Sequence, residues 1–300
     1  MSDKTPKYGL FLGCNMPALR PDVEKAIRVA LPGVGIELVD IEGAACCPAF
    51  GTFYSVDEDA ALAVNAWNLS LAEKAGVDIV VQCGSCYSTL RIGRHKILNG
   101  RKDGVNKLLS NAGISYQGKA NVRHVIDVYY NEAGPQKISE SIKYCLDGMR
   151  AVVQNPCHVL RPSKIVGFDD PENPIALKGI TKALGADIPG YEREKQCCGG
   201  AGGFSKRDVK ANLEFVKKKF DSMKAEVDPD VIVVSCITCL MHLDSIQDKM
   251  RKKGMIDYSI PVFDYSQLLA ICLGHDPDKV ARISVTPRDE VIKRILENKR

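Results

Sequence analysis

Short apolar runs alternate with longer stretches of helical spacing along the whole chain. Tyr8 to Gly13 is an apolar run that ends at Cys14, and Gly35 to Ile41 reads as a second strand. Between them, Val23 to Leu31 has helical periodicity after Pro21. Asp57 to Lys74 predicts a long helix, with acidic residues in its first turn and Gly76 just past its end. Asp78 to Gln82 is a continuous apolar strand that stops at Cys83. The second half repeats the scheme. Ala151 to Gln154 predicts a strand before Cys157, Lys206 to Glu226 an amphipathic helix, and Val231 to Val234 a strand ending at Cys236, with helix from there to Lys252. Apolar strands alternating with helices predict parallel sheets covered by helices. The fold class is therefore α/β, with two tandem Rossmann-like parallel-sheet halves related by a pseudo-two-fold axis. The boundary falls near Gly148, giving residues 1–148 and 149–300.

The duplication is written most plainly in cysteine. Of 12 cysteines, ten form one pattern used twice: Cys14, Cys46-Cys47 and Cys83-Gly84-Ser85-Cys86, then Cys157, Cys197-Cys198 and Cys236-Ile237-Thr238-Cys239. Neighbouring residues repeat as well. Leu19-Arg20-Pro21 follows Cys14 as Leu160-Arg161-Pro162 follows Cys157, and Asp78 and Asp230 open the strands that lead to the Cys-x-x-Cys segments. Ligands of open parallel sheets gather beyond the carboxyl ends of the strands. Cys14, Cys83, Cys157 and Cys236 all stand there, so each set is expected to converge in space.

Five thiols with an adjacent pair do not suit one tetrahedral zinc ion, which takes four ligands. The chain between adjacent cysteines is too short to open a tetrahedral angle without strain. A polynuclear iron–sulfur cluster, in which neighbouring sulfurs bind different irons, suits the pattern. A thioredoxin-like exchange motif would use only the Cys-x-x-Cys of each half and leave three thiols over. The run Cys197-Cys198-Gly199-Gly200-Ala201-Gly202-Gly203 lets the backbone pass close to a cluster and aim N–H groups at its sulfides, with Gly199 and Gly200 nearest. The first copy reads Cys46-Cys47-Pro48-Ala49-Phe50-Gly51 instead. His158, next to Cys157, is a candidate proton donor, and His242 a weaker one. Cys145 and Cys272, outside both sets, read as small buried hydrophobes. Arg20, Arg161, Lys206 and Arg207 stand near the cysteine segments as candidates for binding anions, whereas Lys217 to Lys219 read as a solvated helix face.

Composition narrows the class. With 45% hydrophobic and 26% charged residues over 300 positions, the chain has the make-up of a globular protein large enough for two domains. A net charge of +4 permits an anionic small substrate but does not call for nucleic acid. No stretch has the apolar length of a membrane span. The polar stretch Met1 to Tyr8 lacks a signal-peptide core, so a disulfide framework is not expected and a cytoplasmic setting is. The tail from Pro287 to Arg300 has helical spacing and mixed charge.

The repeated Cys, Cys-Cys, Cys-x-x-Cys module resembles the cysteine-rich CCG domain. Two complete tandem copies without an attached ferredoxin run resemble the B subunit of heterodisulfide reductases of methanogenic archaea. The resemblance implies that Cys14, Cys46, Cys47, Cys83 and Cys86 hold one noncubane [4Fe-4S] cluster, and that Cys157, Cys197, Cys198, Cys236 and Cys239 hold the other. It implies reduction of the coenzyme M–coenzyme B disulfide, one electron coming from each cluster. It further implies two partners within a heterodisulfide reductase complex: a C subunit with ferredoxin-like cubane clusters and a flavin-containing A subunit. Related modules in lactate, glycolate and glycerol-phosphate oxidoreductases imply an alternative, an iron–sulfur electron-transfer subunit that serves a flavin partner. A zinc-stabilised scaffold is the remaining, non-enzymatic reading.

Overall fold

The computed structural model describes residues 5–49 and 53–300. Phe50 and Gly51 of the first vicinal-cysteine loop thus lie outside the described residues. Strands β1 (Lys7–Phe11), β2 (Glu37–Asp40), β3 (Asp78–Val81) and β4 (Val122–His124) form a parallel sheet in the order β2-β1-β3-β4. Strands β5 (Ala151–Gln154), β6 (Val231–Val234) and β7 (Val262–Asp264) form a second parallel sheet in the order β5-β6-β7. A parallel bridge between Arg150 and Asp187 flanks β5 as β2 flanks β1. Every residue of β5, β6 and β7 is buried, as strands covered on both faces require. The fold is α/β with two parallel-sheet halves, as the alternation of apolar runs and helices predicts.

The predicted helices are present with small shifts. Asp57 caps the helix Glu58–Lys74, its side chain accepting from the Ala60 N–H at 2.9 Å. The expected single helix from Lys206 to Glu226 is instead two, Phe204–Arg207 and Val209–Glu226. Asp208 interrupts them because its carboxylate caps the second, accepting from the Ala211 N–H at 2.9 Å. The C-terminal tail forms the helix Asp289–Glu297 and packs on its own chain. Val291 and Ile295 are buried, and Arg294 binds Asp230 at 2.6 Å.

A large apolar cluster draws on both halves. The helix Pro21–Gly33, which buries Val23, Ala26, Ile27 and Ala30, lies against the wholly buried helix Tyr265–Cys272 of the second half. Gln267 fastens this contact by donating to Asp22 at 2.8 Å. Nothing in the local pattern of either helix names its partner, and that packing brings the carboxyl ends of both sheets together.

Candidate functional site

Each sheet delivers a Cys-x-x-Cys at the end of its inner strand. β3 runs into Cys83, the residue before the helix Gly84–Lys96, and β6 runs into the corresponding Cys236 before the helix Ile237–Lys252. The vicinal pairs approach from loops that precede the helices capped by Asp57 and Asp208. In the first half Cys46 neighbours Cys14 and Cys47, the sulfurs of Cys47 and Cys86 are 3.0 Å apart, and Cys86 neighbours Cys83. In the second half the sulfurs of Cys157 and Cys197 are 3.8 Å apart, Cys198 neighbours Cys197 and Cys239, and Cys239 neighbours Cys236. The order is the same in both halves. The strings meet where Cys83 neighbours Cys236. All ten thiols of the repeated pattern therefore form a single line across the seam. Among the described residues no three of His, Cys, Asp and Glu converge as they would around one bound ion.

The donor set fits an inorganic sulfide cluster. All five thiols of the second set line one small cavity, together with Pro156, His158, Ala201 and Thr238 and with Gly84 and Ser85 of the first half. Backbone N–H groups already point at sulfur: Gly199 donates to Cys197 at 3.4 Å and Gly84 to Cys236 at 3.3 Å. Such donors stabilise thiolate charge. Hydrogen bonding with Cys46 and Cys86 pulls the Cys47 thiol below its ordinary range. That with Cys157 and Cys198 does the same for Cys197. Cys14 and Cys46 are exposed, whereas Cys47, Cys86, Cys198, Cys236 and Cys239 are buried.

The glycines have distinct duties. Gly199 has φ +81°, and a Cβ there would lie 2.9 Å from the Asn212 amide and 3.0 Å from Val216. A Cβ on Gly200 would lie 2.8 Å from His242 Cβ, so this glycine lets the loop pack against the helix Ile237–Lys252. His158 lines the cavity, and burial lowers its pKa against the pull of the Cys236 thiol. His242 is held down to about 4 by burial and then by Lys249. It lines a neighbouring cleft of about 580 Å³ with Lys206, Lys249, Thr238, Gly200 and Ser284. Among the described residues neither Lys206 nor Lys249 has a carboxylate partner.

Other expectations need correction. Arg20 lines the same cleft, but it is largely buried and paired with Asp22 at 3.0 and 3.1 Å. Arg161 is tied to Glu172 at 2.7 Å. Lys219 is not on a solvated face but fully buried, unlike exposed Lys218. Cys145 and Cys272 are buried in the shared core, as their place outside the pattern suggested. Sequence reasoning missed a polar layer beneath the thiols. Gln82 donates across the seam to Asp264 at 2.5 Å, and the buried imidazole of His124 lies 2.8 Å from the Gln82 carbonyl oxygen. The signal that could have found it was a polar residue closing each apolar strand: Gln82, His124 and Asp264 all stand at strand ends.

Comparison with known proteins agrees with this geometry. The cysteine-rich domain model CCG matches residues 8–91 and 151–244, once in each half. A protein of Archaeoglobus profundus that is like the B subunit of heterodisulfide reductase is 48% identical, the match covering 98% of this chain and 99% of that one. The chain belongs to the heterodisulfide reductase B-subunit family of tandem cysteine-rich proteins. Another relative is the B subunit of the ferredoxin/F(420)H(2)-dependent CoB-CoM heterodisulfide reductase of Methanosarcina acetivorans, 35% identical over 91% of both chains. The 8-methylmenaquinol:fumarate reductase membrane anchor subunit of Wolinella succinogenes is 30% identical over 89% of this chain and 92% of its own. A hypothetical protein of Helicobacter pylori superimposes with a TM-score of 0.70 at 12% identity, covering 93% of this chain and 51% of that one, a likeness of fold alone. Members of this family are redox subunits of the iron–sulfur kind, and this chain is an oxidoreductase subunit of that class. Among its described residues no helix is long and apolar enough to cross a membrane.

Proposed function

We propose that this chain is the disulfide-cleaving subunit of a cytoplasmic multi-subunit reductase, and that each cysteine set holds a noncubane [4Fe-4S] cluster. Cys14, Cys46, Cys47, Cys83 and Cys86 would hold one in the domain 1–148. Cys157, Cys197, Cys198, Cys236 and Cys239 would hold the other in the domain 149–300, the two domains being related by an approximate two-fold axis. The observation that carries this reading is the meeting of the two thiol strings at Cys83 and Cys236. When bound, the two clusters would supply the two electrons that scission of one S–S bond consumes, one from each.

The protein's own residues do the rest. The thiols offer soft donors that select iron–sulfur chemistry over oxygen-ligated metals. The N–H groups of Gly199 and Gly84 stabilise charge on Cys197 and Cys236. Gly200 lets the loop after the vicinal pair lie close against His242 and Thr238 of the helix Ile237–Lys252. His158 relays protons beside the cavity, since each departing thiolate must gain one: a disulfide, two electrons and two protons give two thiols. Lys206 and Lys249 draw anionic arms into the adjoining cleft. These features suit a disulfide with sulfonate and phosphate ends, the coenzyme M–coenzyme B heterodisulfide. Electrons would arrive from the ferredoxin-like C subunit and the flavin-containing A subunit.

The test is turnover by anaerobic protein with a reduced viologen dye. Disulfide-dependent dye oxidation that yields two thiols is expected. Electron exchange with a flavin-dependent 2-hydroxy-acid or glycerol-phosphate dehydrogenase, with no disulfide cleavage, would replace this reading with the electron-transfer one. Replacement of His158 by Gln is expected to lower turnover by about 100-fold, as for a lost general acid, without loss of iron.

A further inference from the structure

The loop that carries the second vicinal pair rests on a buried cation. Lys219 projects from the helix Val209–Glu226 and is fully buried. Its ammonium donates to the carbonyl oxygens of Arg193, Glu194 and Gln196 at 2.7, 3.0 and 3.0 Å, in the turn directly before Cys197. It also sits 5.1 Å from the centroid of the Tyr191 ring. Among the described residues no carboxylate pairs with it. Glu194, whose field reaches it, is itself bound to Lys178 at 2.7 Å. Carbonyl groups satisfy the hydrogen bonds of a buried ammonium but do not cancel its charge, and an uncompensated buried charge is costly. Burial brings this lysine down to about 8, against the pull of Cys198 and Cys239 in the second cysteine set. Its three carbonyl partners lie in the turn that leads into Cys197, so a thiolate-ligated cluster held by the second cysteine set would supply the compensating negative charge.

The first half does the same structural job without a charge. Asp57 and Asp208 cap equivalent helices, and counted from those caps Asn68 occupies the place of Lys219. Asn68 is also fully buried, and its Oδ1 accepts from the N–H of Ala45, directly before Cys46-Cys47. One loop hangs on a neutral amide and the other on an ammonium.

We infer that Lys219 is a positioning residue that holds a positive charge behind the second cysteine set, making the iron–sulfur cluster held there the more easily reduced of the two. The inference rests on the iron–sulfur reading above. Reduction adds one electron, taken from an external low-potential one-electron donor, to a centre that is already anionic. The proton of Lys219 stays in place, and its field favours the added charge in a low-dielectric surrounding. Electrons entering the chain then settle first in the second half.

An anaerobic redox titration of the whole chain, followed by electron paramagnetic resonance, tests this, with iron and sulfide measured on the same samples. The unaltered protein is expected to titrate in two separate one-electron steps. A Cys86→Ala variant, with the first set broken, is expected to retain the higher one. With iron content unchanged, Lys219→Gln is expected to disfavour reduction in that step at least tenfold, about 59 mV for one electron, and to leave the other step in place. Lys219→Arg, which keeps the charge, is expected to hold the step within about threefold of the unaltered protein. An unmoved step in fully loaded Lys219→Gln overturns the inference, as does an equal shift in the Gln and Arg variants. Should the Gln variant fail to fold or load, the unaltered protein and Cys86→Ala decide: coincident steps, or retention of the lower one, overturn the inference. Iron- and sulfide-free protein would instead remove the proposed function, and this inference with it.

Discussion

The backbone N–H of Gly84 donates to the sulfur of Cys236 at 3.3 Å, across the seam between the halves. Gly84 is the first residue of the helix Gly84–Lys96, so the positive end of a first-half helix faces a second-half thiol. The Cys236 thiol lies well below its ordinary range, chiefly through Cys239 and Cys83, with the Gly84 N–H adding to them. The halves are thus coupled through the thiols themselves and not only through their shared core.

That coupling gives the first prediction. A Cβ on Gly84 would lie 3.3 Å from Pro156, 3.4 Å from Val159 and 3.5 Å from the Cys236 sulfur. Gly84→Val, a change in the first half, is expected to disturb the second half's cluster signal and to lower turnover at least tenfold. Native spectra and turnover in this variant would show that the seam is not tightly packed around Cys236.

Metal content is the second. Four-iron clusters in both sets require about eight irons and comparable acid-labile sulfide per chain in anaerobically prepared protein. Colorimetric iron and sulfide assays check this. About two zinc ions per chain, without sulfide, would return the chain to the scaffold reading.

Third, Cys83→Ala and Cys236→Ala are each expected to abolish disulfide cleavage, and the double variant to be little worse than either, because groups that act as a unit are not additive. Cys145→Ala and Cys272→Ala are expected to leave turnover near normal, since both side chains are buried in the core away from the thiol line. Steady-state rates for the five variants, with iron content beside them, separate the two classes. Cleavage surviving the loss of one whole cluster would support the electron-transfer role instead.

The fourth concerns pH. Burial raises Asp264 to about 6, against hydrogen bonds from Ser266 and Gln82. Between the ordinary carboxyl value of about 3.9 and that raised value, the folded state binds a proton that the unfolded state does not. Asp264 therefore makes stability fall as pH rises through this window. His124, lowered to about 4 by burial, acts in the opposite sense: its unfolded form binds the extra proton, so stability rises with pH. Asp264→Asn keeps an oxygen to accept from the Ser266 N–H and removes only the first slope. Urea midpoints are then expected to climb more steeply with pH in this variant between about 4 and 6.5, by on the order of 2 kcal/mol across the window. An unchanged profile would mean that Asp264 does not titrate in that window in the folded protein.

Much of the site is legible in the residues because it is local chemistry. Thiols at the ends of apolar strands, adjacent pairs and Cys-x-x-Cys before helices need only neighbours along the chain to be recognised. Asp57 and Asp208 were equally local, yet only Asp57 was readable as a helix start. Asp208 lies within a continuous helical pattern, and its capping bond to Ala211 competes with the helix it interrupts. Lys219 shows the opposite limit. In a run of three lysines, charge argues for solvent, and only the three carbonyls of the turn before Cys197 make burial tolerable.

The amino-acid sequence by itself determined the duplicated α/β plan and the ten thiols, because strand and helix periodicity and metal-donor chemistry are properties of short segments. Tertiary structure alone decided that Cys83 meets Cys236, that Gln82 reaches Asp264, and that Lys219 is buried under the turn before Cys197. The reason is that burial and long-range contact arise when the helices Pro21–Gly33 and Tyr265–Cys272 pack together. That packing is set by the summed fit of many apolar side chains from both halves, which no single segment encodes.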